Sequence, residues 1–499
     1  MRIICGTILA AAVCGTVLAE ECCAAFSPCD VDFSGAVVTV DFSREVGSVK
    51  PVNGVGQPPM VGKLGSWSMM HYLKDAGIPY SRLHDVGGWL GGGMFVDIPN
   101  LFPNFDADEN DPANYRFAYT DSLMKALEAN GVEPFFRLGV SIENFVGYKD
   151  RLPPVNILPP KDFAKWARIC EHVIRHYTEG WADGLKMKID YWEIWNEPEN
   201  FPDQKDNCMW RGDWESYMRF YGVVSAHLKA KFPHLKIGGY GSCGFYAAVG
   251  ANQVKAANSS PRMTYFVDCF TNFLVRAKSE RWPLDFFSFH SYSHPDEARR
   301  QIEYARKTLD AYGFKKTEMS FNEWLPWPSH DALGTARQAA FVAAELINLQ
   351  TSPCDTAMIY DARCAVGNYS PLFNPLTCKP HKAYYAFMAF NELRKLGTAV
   401  MAASSDSDVK VAAAKGGNGS VAVMIANVSG TEKLFSLDIG KAISLRSLCC
   451  RVTDNDNTYA IVPMPLALPP YSFIVLVLAD EGKLGNEGPE LIDTVKLIQ

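Results

Sequence analysis

Two glutamates in this 499-residue chain directly follow an asparagine and are candidates for paired acid and nucleophile chemistry. Glu197 lies in residues 195–198 (Trp-Asn-Glu-Pro), and Glu323 lies in residues 321–324 (Phe-Asn-Glu-Trp). A protonated carboxyl group and an ionised one can act as general acid and nucleophile when both face the same bond. The elements that carry the two glutamates must therefore bring them to a common cleft.

The chain between residue 52 and about residue 361 alternates short β-rich runs with longer amphipathic segments. This alternation predicts an α/β fold with a parallel sheet covered by helices, and eight runs predict a closed (β/α)8 TIM barrel. The predicted strands are residues 52–55, 80–84, 133–138, 191–195, 235–238, 285–290, 318–322 and 356–360.

The hydrophobic pattern of the sequence changes after a last predicted helix at residues 381–396. Short alternating strands separated by Gly, Asn, Ser and Asp predict an accessory all-β sandwich domain. Residues 37–42 have the same alternating pattern, so we expect them to pair with that sheet. The predicted organisation is a signal peptide (1–19), N-terminal strands joining the sandwich (20–50), the catalytic barrel (51–396), the C-terminal β-sandwich (397–480) and a polar tail (481–499).

Composition and charge exclude several classes of partner. The chain has 48 Lys and Arg against 55 Asp and Glu, so the net charge of −7 argues against nucleic acid. An apolar run from Ile3 to Leu18 behind Arg2 predicts a cleaved secretory signal and a secreted or periplasmic protein without a membrane span. Of the 14 cysteines, Cys22, Cys23 and Cys29 form a local cluster; disulfides and buried free thiols are both open alternatives.

Active sites of (β/α)8 barrels lie at the carboxyl ends of the strands, so polar residues that end strands are the first candidates. Glu197 ends the fourth predicted strand and Glu323 the seventh, and their side chains can converge across the barrel mouth. Hydrolysis of a glycosidic bond needs two carboxyl groups on opposite faces of the anomeric carbon. The sequence thus predicts a carbohydrate-cleaving site. The other polar strand-end residues are His84, Asp85, Arg137, Asn196, His290, Tyr292, Asn322, Asp361 and Arg363.

These strand ends carry a resemblance to a known group of enzymes. Trp-Asn-Glu-Pro at 195–198, Glu323 on the seventh strand and His-Ser-Tyr at 290–292 resemble the retaining glycoside hydrolases with (β/α)8 barrels. Arg-Leu-His at 82–84, Val-Asn-Gly at 52–54 and the flanking β-domain are most similar to glycoside hydrolase family 39, the family of β-xylosidases and α-L-iduronidases. The resemblance covers roughly residues 37–479.

The resemblance implies roles for several residues by position. Glu197 matches the general acid/base and Glu323 the nucleophile, with carboxyl groups expected about 5–5.5 Å apart. Asn196 matches the asparagine that binds the sugar 2-hydroxyl, and Arg82 matches an arginine that keeps the nucleophile ionised. His84, His290 and Tyr292 match side chains that line the glycone subsite or hold the nucleophile. We expect the charge of Glu323 to raise the pKa of Glu197, and Arg82 to lower that of Glu323.

The end of the eighth strand departs from the family pattern. Asp361 and Arg363 stand where many relatives place a tryptophan, and they either bind sugar hydroxyls or a uronic acid carboxylate, or form a structural pair that closes a loop. Trp324 is expected to stack on sugar in the cleft. No metal site is expected, because His290 and His294 have the spacing of a zinc-binding pair but do not lie on a predicted helix. No organic cofactor is expected either.

The sequence therefore predicts an exported retaining glycoside hydrolase that acts on an oligosaccharide or polysaccharide. The first expectation is exo-action on β-xyloside-type oligosaccharides or on plant or host glycans. An α-L-arabinosidase or α-L-iduronidase specificity is the alternative, selected by Asp361 and Arg363. A non-catalytic glycan-binding protein on a hydrolase scaffold is the rival from another class. The oligomeric state stays open.

Overall fold

The computed structural model describes residues 2–3, 35–59, 69–86, 95–142, 156–250, 260–326, 332–365, 367, 369–439 and 447–479. Most of the predicted signal peptide, the cluster of Cys22, Cys23 and Cys29, and the predicted polar tail lie outside these residues.

The strands of the described residues are numbered along the chain. They are β1 (Arg2–Ile3), β2 (Ala36–Ser48), β3 (Gly54–Gly56), β4 (Tyr80–Leu83), β5 (Glu133–Leu138), β6 (Tyr191–Ile194), β7 (Lys236–Ser242), β8 (Phe286–Ser291), β9 (Glu318–Trp324), β10 (Thr356–Ile359), β11 (Thr398–Ser404), β12 (Val409–Lys415), β13 (Val421–Asn427), β14 (Lys433–Asp438), β15 (Ser447–Thr453), β16 (Ala460–Val462), β17 (Ala467–Leu468) and β18 (Ser472–Ala479).

The α-helices are numbered in the same way. They are α1 (Met70–Asp75), α2 (Ile98–Leu101), α3 (Ala118–Ala129), α4 (Phe163–Thr178), α5 (Trp214–Lys231), α6 (Tyr246–Val249), α7 (Pro261–Glu280), α8 (Pro295–Tyr312), α9 (Ala336–Thr351) and α10 (Tyr384–Leu396). Several helices have an N-cap side chain. Asp162 accepts from the Lys165 N–H at the start of α4, and Asp213 accepts from the Ser216 N–H at the start of α5.

Strands β3 to β10 form the closed parallel barrel that the sequence predicts. They pair in chain order, and β10 returns to pair with β3. Each predicted run overlaps one of these strands, so the prediction of a (β/α)8 barrel is confirmed.

Alternation along the barrel strands decides which side chains reach the interior. In β8, Phe287 and Phe289 pack in the main hydrophobic core between sheet and helices, whereas Phe286 belongs to a separate small cluster with Tyr191. Ser288 has the same parity as Phe286 and bonds to Glu193 of β6. Strand alternation therefore selects the polar residues that meet inside the barrel.

The accessory all-β domain is also confirmed. Its strands form one continuous ten-stranded sheet in which β2, from the N-terminal part of the chain, pairs antiparallel with β11 and parallel with β14. Along β13 the two faces differ: Val421, Val423 and Ile425 belong to the core of this domain, whereas Ala422, Met424 and Ala426 belong to the core of the barrel. Helices α9 and α10 supply the barrel side of that contact. Small residues on this face let the helices pack closely against the sheet.

Within the described part of the chain, no helix has both the length and the apolar character needed to cross a bilayer.

Candidate active site

The carboxyl ends of β4, β6, β8 and β9 bring a group of polar side chains together at the barrel mouth. Glu197 follows β6 and Glu323 lies near the end of β9. One carboxylate oxygen of Glu197, one of Glu323 and a ring nitrogen of His290 all lie within 4.8 Å of one another. Glu323 is only 6% exposed. The two glutamates singled out from the sequence therefore face each other across a narrow gap.

A β-bulge turns Glu323 into the mouth. The pairing of β8 with β9 shifts register between Phe289–Phe321 and His290–Glu323, so Asn322 is the extra residue. As a result, two consecutive side chains point inward: the Asn322 Nδ2 donates to Glu193 (2.6 Å), while Glu323 accepts from Arg82 (3.0 Å). In a regular strand, one of the two would face the helices.

Arg82 links three of the mouth residues with its guanidinium group. Its Nε donates to Glu193 Oε2 (2.8 Å), its Nη1 to Glu323 Oε2 (3.0 Å) and its Nη2 to Asn196 Oδ1 (2.5 Å). Burial lowers the pKa of Arg82, but the charges of Glu193 and Glu323 outweigh burial and raise it, so the guanidinium stays charged. Arg82 is therefore a fixed positive charge beneath Glu323.

Glu193 is the buried acid beneath the site. It is fully buried, and besides Arg82 its carboxylate accepts from Ser288 Oγ (2.6 Å) and Asn322 Nδ2 (2.6 Å). Three hydrogen bonds and full burial hold this carboxylate in place. Its contribution is to orient Arg82 and Asn322.

Tyr292 holds the second oxygen of Glu323. Its hydroxyl donates to Glu323 Oε1 (2.5 Å), and its own backbone N–H donates to the Tyr246 hydroxyl oxygen (2.9 Å). Arg82 and Tyr292 thus bind one oxygen each and fix the rotation of the carboxylate.

The chain around Glu197 is held by residues that the sequence interpretation missed. Asn200 Nδ2 donates to Glu197 Oε2 (2.6 Å), and Arg262 of α7 donates through Nε to the Asn200 carbonyl oxygen (2.6 Å). Glu197 has a φ of 42°, in the left-handed region, and its N–H donates to the Gly241 carbonyl oxygen (2.9 Å). Asn200 could have been suspected because it lies three residues after Glu197, whereas nothing in the sequence connects Arg262 with it.

Gly241 allows the mouth to close around these groups. It has a φ of +63°, and a Cβ atom there would lie 3.1 Å from Asn196 Oδ1 and 3.2 Å from Arg82 Nη2 and from His290 Nε2. A side chain at this position would press on three of the polar groups, so the glycine is required by space as well as by backbone conformation.

The pKa order of the two glutamates is the reverse of the sequence expectation. Burial raises the pKa of Glu197, but the hydrogen bond and charge of His290 outweigh burial and lower it. Burial lowers the pKa of His290, and the charges of Glu323 and Glu197 overcome this and raise it. Burial raises the pKa of Glu323, and the charge of Glu197 adds to the rise. His290 acts more strongly on Glu197 because its Nδ1 lies 2.8 Å from Glu197 and 3.7 Å from Glu323.

Glu199 is a second acid that the sequence interpretation missed. It is fully buried, and its Oε1 accepts from Ser242 Oγ (2.8 Å) and from the Cys243 N–H (2.8 Å), whereas Oε2 has no partner. Burial raises the pKa of Glu199 to about 7 in spite of these hydrogen bonds. A protonatable group thus lies two residues from Glu197.

His84 lies at the edge of the same mouth. Its Nε2 is 3.3 Å from Asp85 Oδ1, and its Nδ1 is buried without a partner. Burial, together with the charges of Arg82 and Arg137, holds the pKa of His84 well below 6.5, so the ring is neutral. His84 is thus a buried, neutral ring beside the mouth with one unsatisfied nitrogen.

Asp361 and Arg363 form the structural pair that the sequence left as one alternative. Arg363 Nε donates to Asp361 Oδ2 (2.8 Å), the Arg363 N–H donates to Asp361 Oδ1 (2.9 Å), and Ser370 Oγ donates to the same oxygen (3.3 Å). Asp361 is fully buried, so it does not present its carboxylate to a sugar. The Arg363 side chain remains 29% exposed and is the member of the pair that a ligand can reach.

Trp324 does not line the cleft, and its expected stacking on sugar is wrong for this structure. Its side chain is 1% exposed, and its ring stacks with Phe321 and with Phe387 of α10. Because the bulge turns Glu323 inward, the next residue points away from the mouth into the layer between sheet and helices.

Glu197, His290 and Glu323 also form, within the described residues, a group with the spacing of metal ligands. The Arg82 guanidinium already contacts Glu323 Oε2, and His290 Nδ1 contacts Glu197 Oε1. A cation between the carboxylates would stand close to this permanent positive charge, so the donor set fits proton transfer better than metal binding.

A closed (β/α)8 barrel with two facing carboxyl groups at its mouth is an architecture shared by many glycoside hydrolases. The model of glycosyl hydrolases family 39 matches residues 68–328, and the chain belongs to this family.

Individual relatives are more distant. The beta-xylosidase of Geobacillus stearothermophilus is 26% identical over 227 residues, which are 44% of this chain and 39% of that protein. The match thus spans about two fifths of this curated relative. The solved glucosidase of Croceicoccus marinus has a TM-score of 0.68 at 19% identity, and a monomeric beta-xylosidase of Caulobacter crescentus has 0.63 at 16%; each comparison covers 89% of this chain and 99% of the other. At these identities the likeness concerns the fold.

Proposed function

We propose that the protein is a retaining glycoside hydrolase with Glu323 as nucleophile and Glu197 as acid/base. The observation that carries the proposal is the spacing of the two carboxyl groups, whose oxygens come within 4.8 Å of each other. Inverting enzymes leave roughly 6.5–9.5 Å between these groups so that a water fits, whereas retaining enzymes need about 5–5.5 Å. The observed gap supports direct attack by a carboxylate.

Glu323 is prepared for attack by its two partners. Arg82 stabilises the ionised form, and Tyr292 and Arg82 together hold the carboxylate in one rotation. In the first step one Glu323 oxygen forms a bond to the anomeric carbon, while the bond from that carbon to the leaving oxygen breaks. The result is a covalent glycosyl-enzyme.

The proton for the leaving oxygen is stored beside Glu197. We infer that in the resting arrangement this proton lies on His290, whose Nδ1 is 2.8 Å from Glu197 Oε1, because the pKa of His290 is raised and that of Glu197 is lowered. Transfer along this contact gives protonated Glu197 and neutral His290, and Glu197 then passes the proton to the departing oxygen. In the second step Glu197 takes a proton from water, whose oxygen displaces Glu323 and releases the sugar with retained configuration.

The substrate we propose first is a β-xyloside-type oligosaccharide cleaved from its end. The similarity to the beta-xylosidase of Geobacillus stearothermophilus supports this choice. An α-L-iduronidase or α-L-arabinosidase specificity is the second candidate, because the partly exposed Arg363 could pair with a glycone carboxylate.

The first experiment is turnover of a panel of aryl glycosides by the wild type, Glu323→Ala and Glu318→Gln. The panel holds the β-D-xyloside, the α-L-arabinosides, the α-L-iduronide, the β-D-glucoside and the β-D-galactoside. Glu318 lies at the opposite end of the same strand, so its variant controls for changes to β9 itself. We expect one glycoside to be cleaved by wild type and Glu318→Gln and not by Glu323→Ala. Glycan binding without turnover of any natural oligosaccharide would instead favour the non-catalytic binding protein.

The stereochemistry and the pH profile test the mechanism separately. Proton NMR of the first product should show the anomer of the substrate, and an inverted product would exclude Glu323 as nucleophile. We expect kcat/KM to follow a bell-shaped pH profile, with an acid limb above 4.5 from Glu323 and an alkaline limb above 6.5 from the proton shared by His290 and Glu197. Replacement His290→Gln should move the alkaline limb and leave the acid limb in place.

We also propose that the chain is exported after cleavage of residues 1–19. The charged start and the apolar run of that segment support this proposal. Expression of the full chain in a bacterial host, followed by mass measurement of protein from the periplasm or medium, should give a product that begins at residue 20. Full-length protein retained in the cytoplasm would contradict it.

A further inference from the structure

Two cysteines meet on the loop that follows β10, next to the candidate active site. Cys364 directly follows Arg363, and Cys378 lies fourteen residues further along the chain. Their Sγ atoms are 3.7 Å apart, and both side chains are half-buried. The contact is close enough for chemistry between the two sulfur atoms.

Backbone hydrogen bonds hold the turn that carries Cys378, and the Cys364 thiol contacts the same turn. The Cys378 N–H donates to the Asn374 carbonyl oxygen (2.8 Å), and the Asn374 N–H donates to the Lys379 carbonyl oxygen (2.8 Å). The Cys364 thiol reaches the same Asn374 carbonyl oxygen at 3.4 Å. The sulfur atoms are thus brought together by a formed turn, and closing them to the roughly 2.05 Å of a disulfide needs a movement of under about 2 Å.

The segment between the cysteines contacts the residues that hold the nucleophile candidate. The Asp361 N–H donates to the Tyr369 carbonyl oxygen (2.7 Å), and the Tyr369 ring packs edge-on against Tyr292 with 5.5 Å between ring centroids. Tyr292 in turn donates to Glu323. A covalent link across this segment would therefore restrain a wall of the mouth.

We propose that Cys364 and Cys378 form a disulfide that fixes this segment against the mouth of the barrel. In the reaction, a thiolate of one cysteine attacks a sulfur of an oxidised dithiol, such as a thiol–disulfide oxidoreductase of the export compartment, and a mixed disulfide forms. The second cysteine displaces that carrier, which leaves as its dithiol with the two electrons and two protons. Burial raises the pKa of the Cys364 thiol to about 12, so we expect closure to be slow with dissolved oxygen alone.

Peptide mapping of the whole protein tests this link directly. Trypsin should leave both cysteines in one peptide, residues 364–382, since Lys379 precedes a proline. After incubation in oxidised glutathione, denaturation and alkylation without reduction, we expect this peptide to lack both alkyl groups and to be about 2 Da lighter than its dithiol form. Cys170, which is buried in α4, is the internal control and should be alkylated.

Serine variants separate this disulfide from other oxidation events. Cys364→Ser and Cys378→Ser should each leave the partner cysteine open to alkylation. Oxidised wild type should melt a few degrees above the reduced protein, and the double variant should melt at one temperature in both buffers. Alkylation of both cysteines in the oxidised wild type would overturn the proposal, as would an oxidation-dependent shift in melting temperature that persists in the double variant without a linked 364–382 peptide in the wild type.

Discussion

Each end of strand β9 carries a glutamate that accepts hydrogen bonds from one basic side chain and one tyrosine, but the two glutamates lie in different surroundings. At the mouth, Glu323 accepts from Arg82 (3.0 Å) and Tyr292 (2.5 Å); at the opposite end, Glu318 accepts from Lys236 (2.8 Å) and Tyr191 (2.6 Å). The two sites differ in their exposure to solvent and in the balance of positive and negative charges. The Glu318 and Lys236 side chains are 32% and 35% exposed, and they form one cation–anion pair. At the mouth, the buried glutamates Glu193 and Glu323 share the charge of Arg82, and the His290 ring contacts Glu197.

Buried polar atoms without a partner and left-handed backbone angles occur at the mouth as well as elsewhere in the described part of the chain. Buried atoms without a partner include His84 Nδ1, His290 Nε2 and Asn322 Oδ1, and left-handed φ angles occur at Trp195 (72°) and Glu197 (42°). Such features cost stability and are found mainly where a site must be preorganised for a ligand. From this comparison we infer that the group around Glu318 stabilises the barrel, whereas the group around Glu323 is arranged for reaction.

The largest expected effect is the loss of activity in Glu323→Gln. Because glutamine cannot form the glycosyl-enzyme, kcat should fall about 10⁴-fold or more on the glycoside that the wild type cleaves. Glu318→Gln, at the other end of β9, should retain kcat within about twofold. Steady-state kinetics with the cleaved aryl glycoside measures both, and equal losses in the two variants would mean that the ends of the strand do not differ in function.

The next effect is on stability, in Arg82→Met. This change leaves Glu193 and Glu323 buried without their cation, so the free energy of unfolding should fall by about 3–5 kcal/mol at neutral pH. The loss should be smaller at acid pH, where Glu323, whose pKa burial raises, takes up a proton and no longer needs a cation. Denaturant unfolding at both pH values is the measurement, and a loss that does not depend on pH would argue against uncompensated charge as the cause.

Glu199→Gln should change how stability depends on pH. The pKa of Glu199 is raised to about 7 from 4.5 by folding, so the folded state binds the proton more tightly than the unfolded state. The contribution is therefore favourable below pH 4.5 and is lost as the pH rises through about 7, with a maximum of about 3 kcal/mol. Glutamine has no such proton, so the variant should lose less stability between pH 5 and pH 8 than wild type. Glu128→Gln, at an exposed position of α3, is the control and should follow the wild-type curve.

The smallest effect is expected for Lys236→Met at the foot of the barrel. Glu318 keeps its bond from Tyr191 and its access to solvent, so the free energy of unfolding should change by less than about 1 kcal/mol. The kcat/KM should stay within about twofold of wild type. A loss comparable with that of Arg82→Met would show that the two ends of the barrel are equally dependent on their cations.

The sequence predicts the barrel and the residues at its mouth because both follow from local patterns. Eight alternating runs give the strands, and Asn-Glu at 196–197 and 322–323 marks two strand ends. The contacts of Asn200 with Arg262 could not be predicted, since 62 residues separate them and no pattern links them. The burial of Trp324 could not be predicted from the sequence either, because it depends on the bulge at Asn322 and on Phe387 of α10.

By itself, the amino-acid sequence determined the fold class and the chemical identity of the paired carboxyl groups, because strand periodicity and residue type are properties of short segments. Only the tertiary structure decided which neighbours act on the two carboxyl groups. His290, at 2.8 Å from Glu197 and 3.7 Å from Glu323, lowers the pKa of Glu197 in spite of burial, whereas burial raises the pKa of Glu323. These directions are the reverse of the sequence expectation. Electrostatic interactions between buried groups depend on distances of a few ångströms across the barrel, which a sequence does not specify.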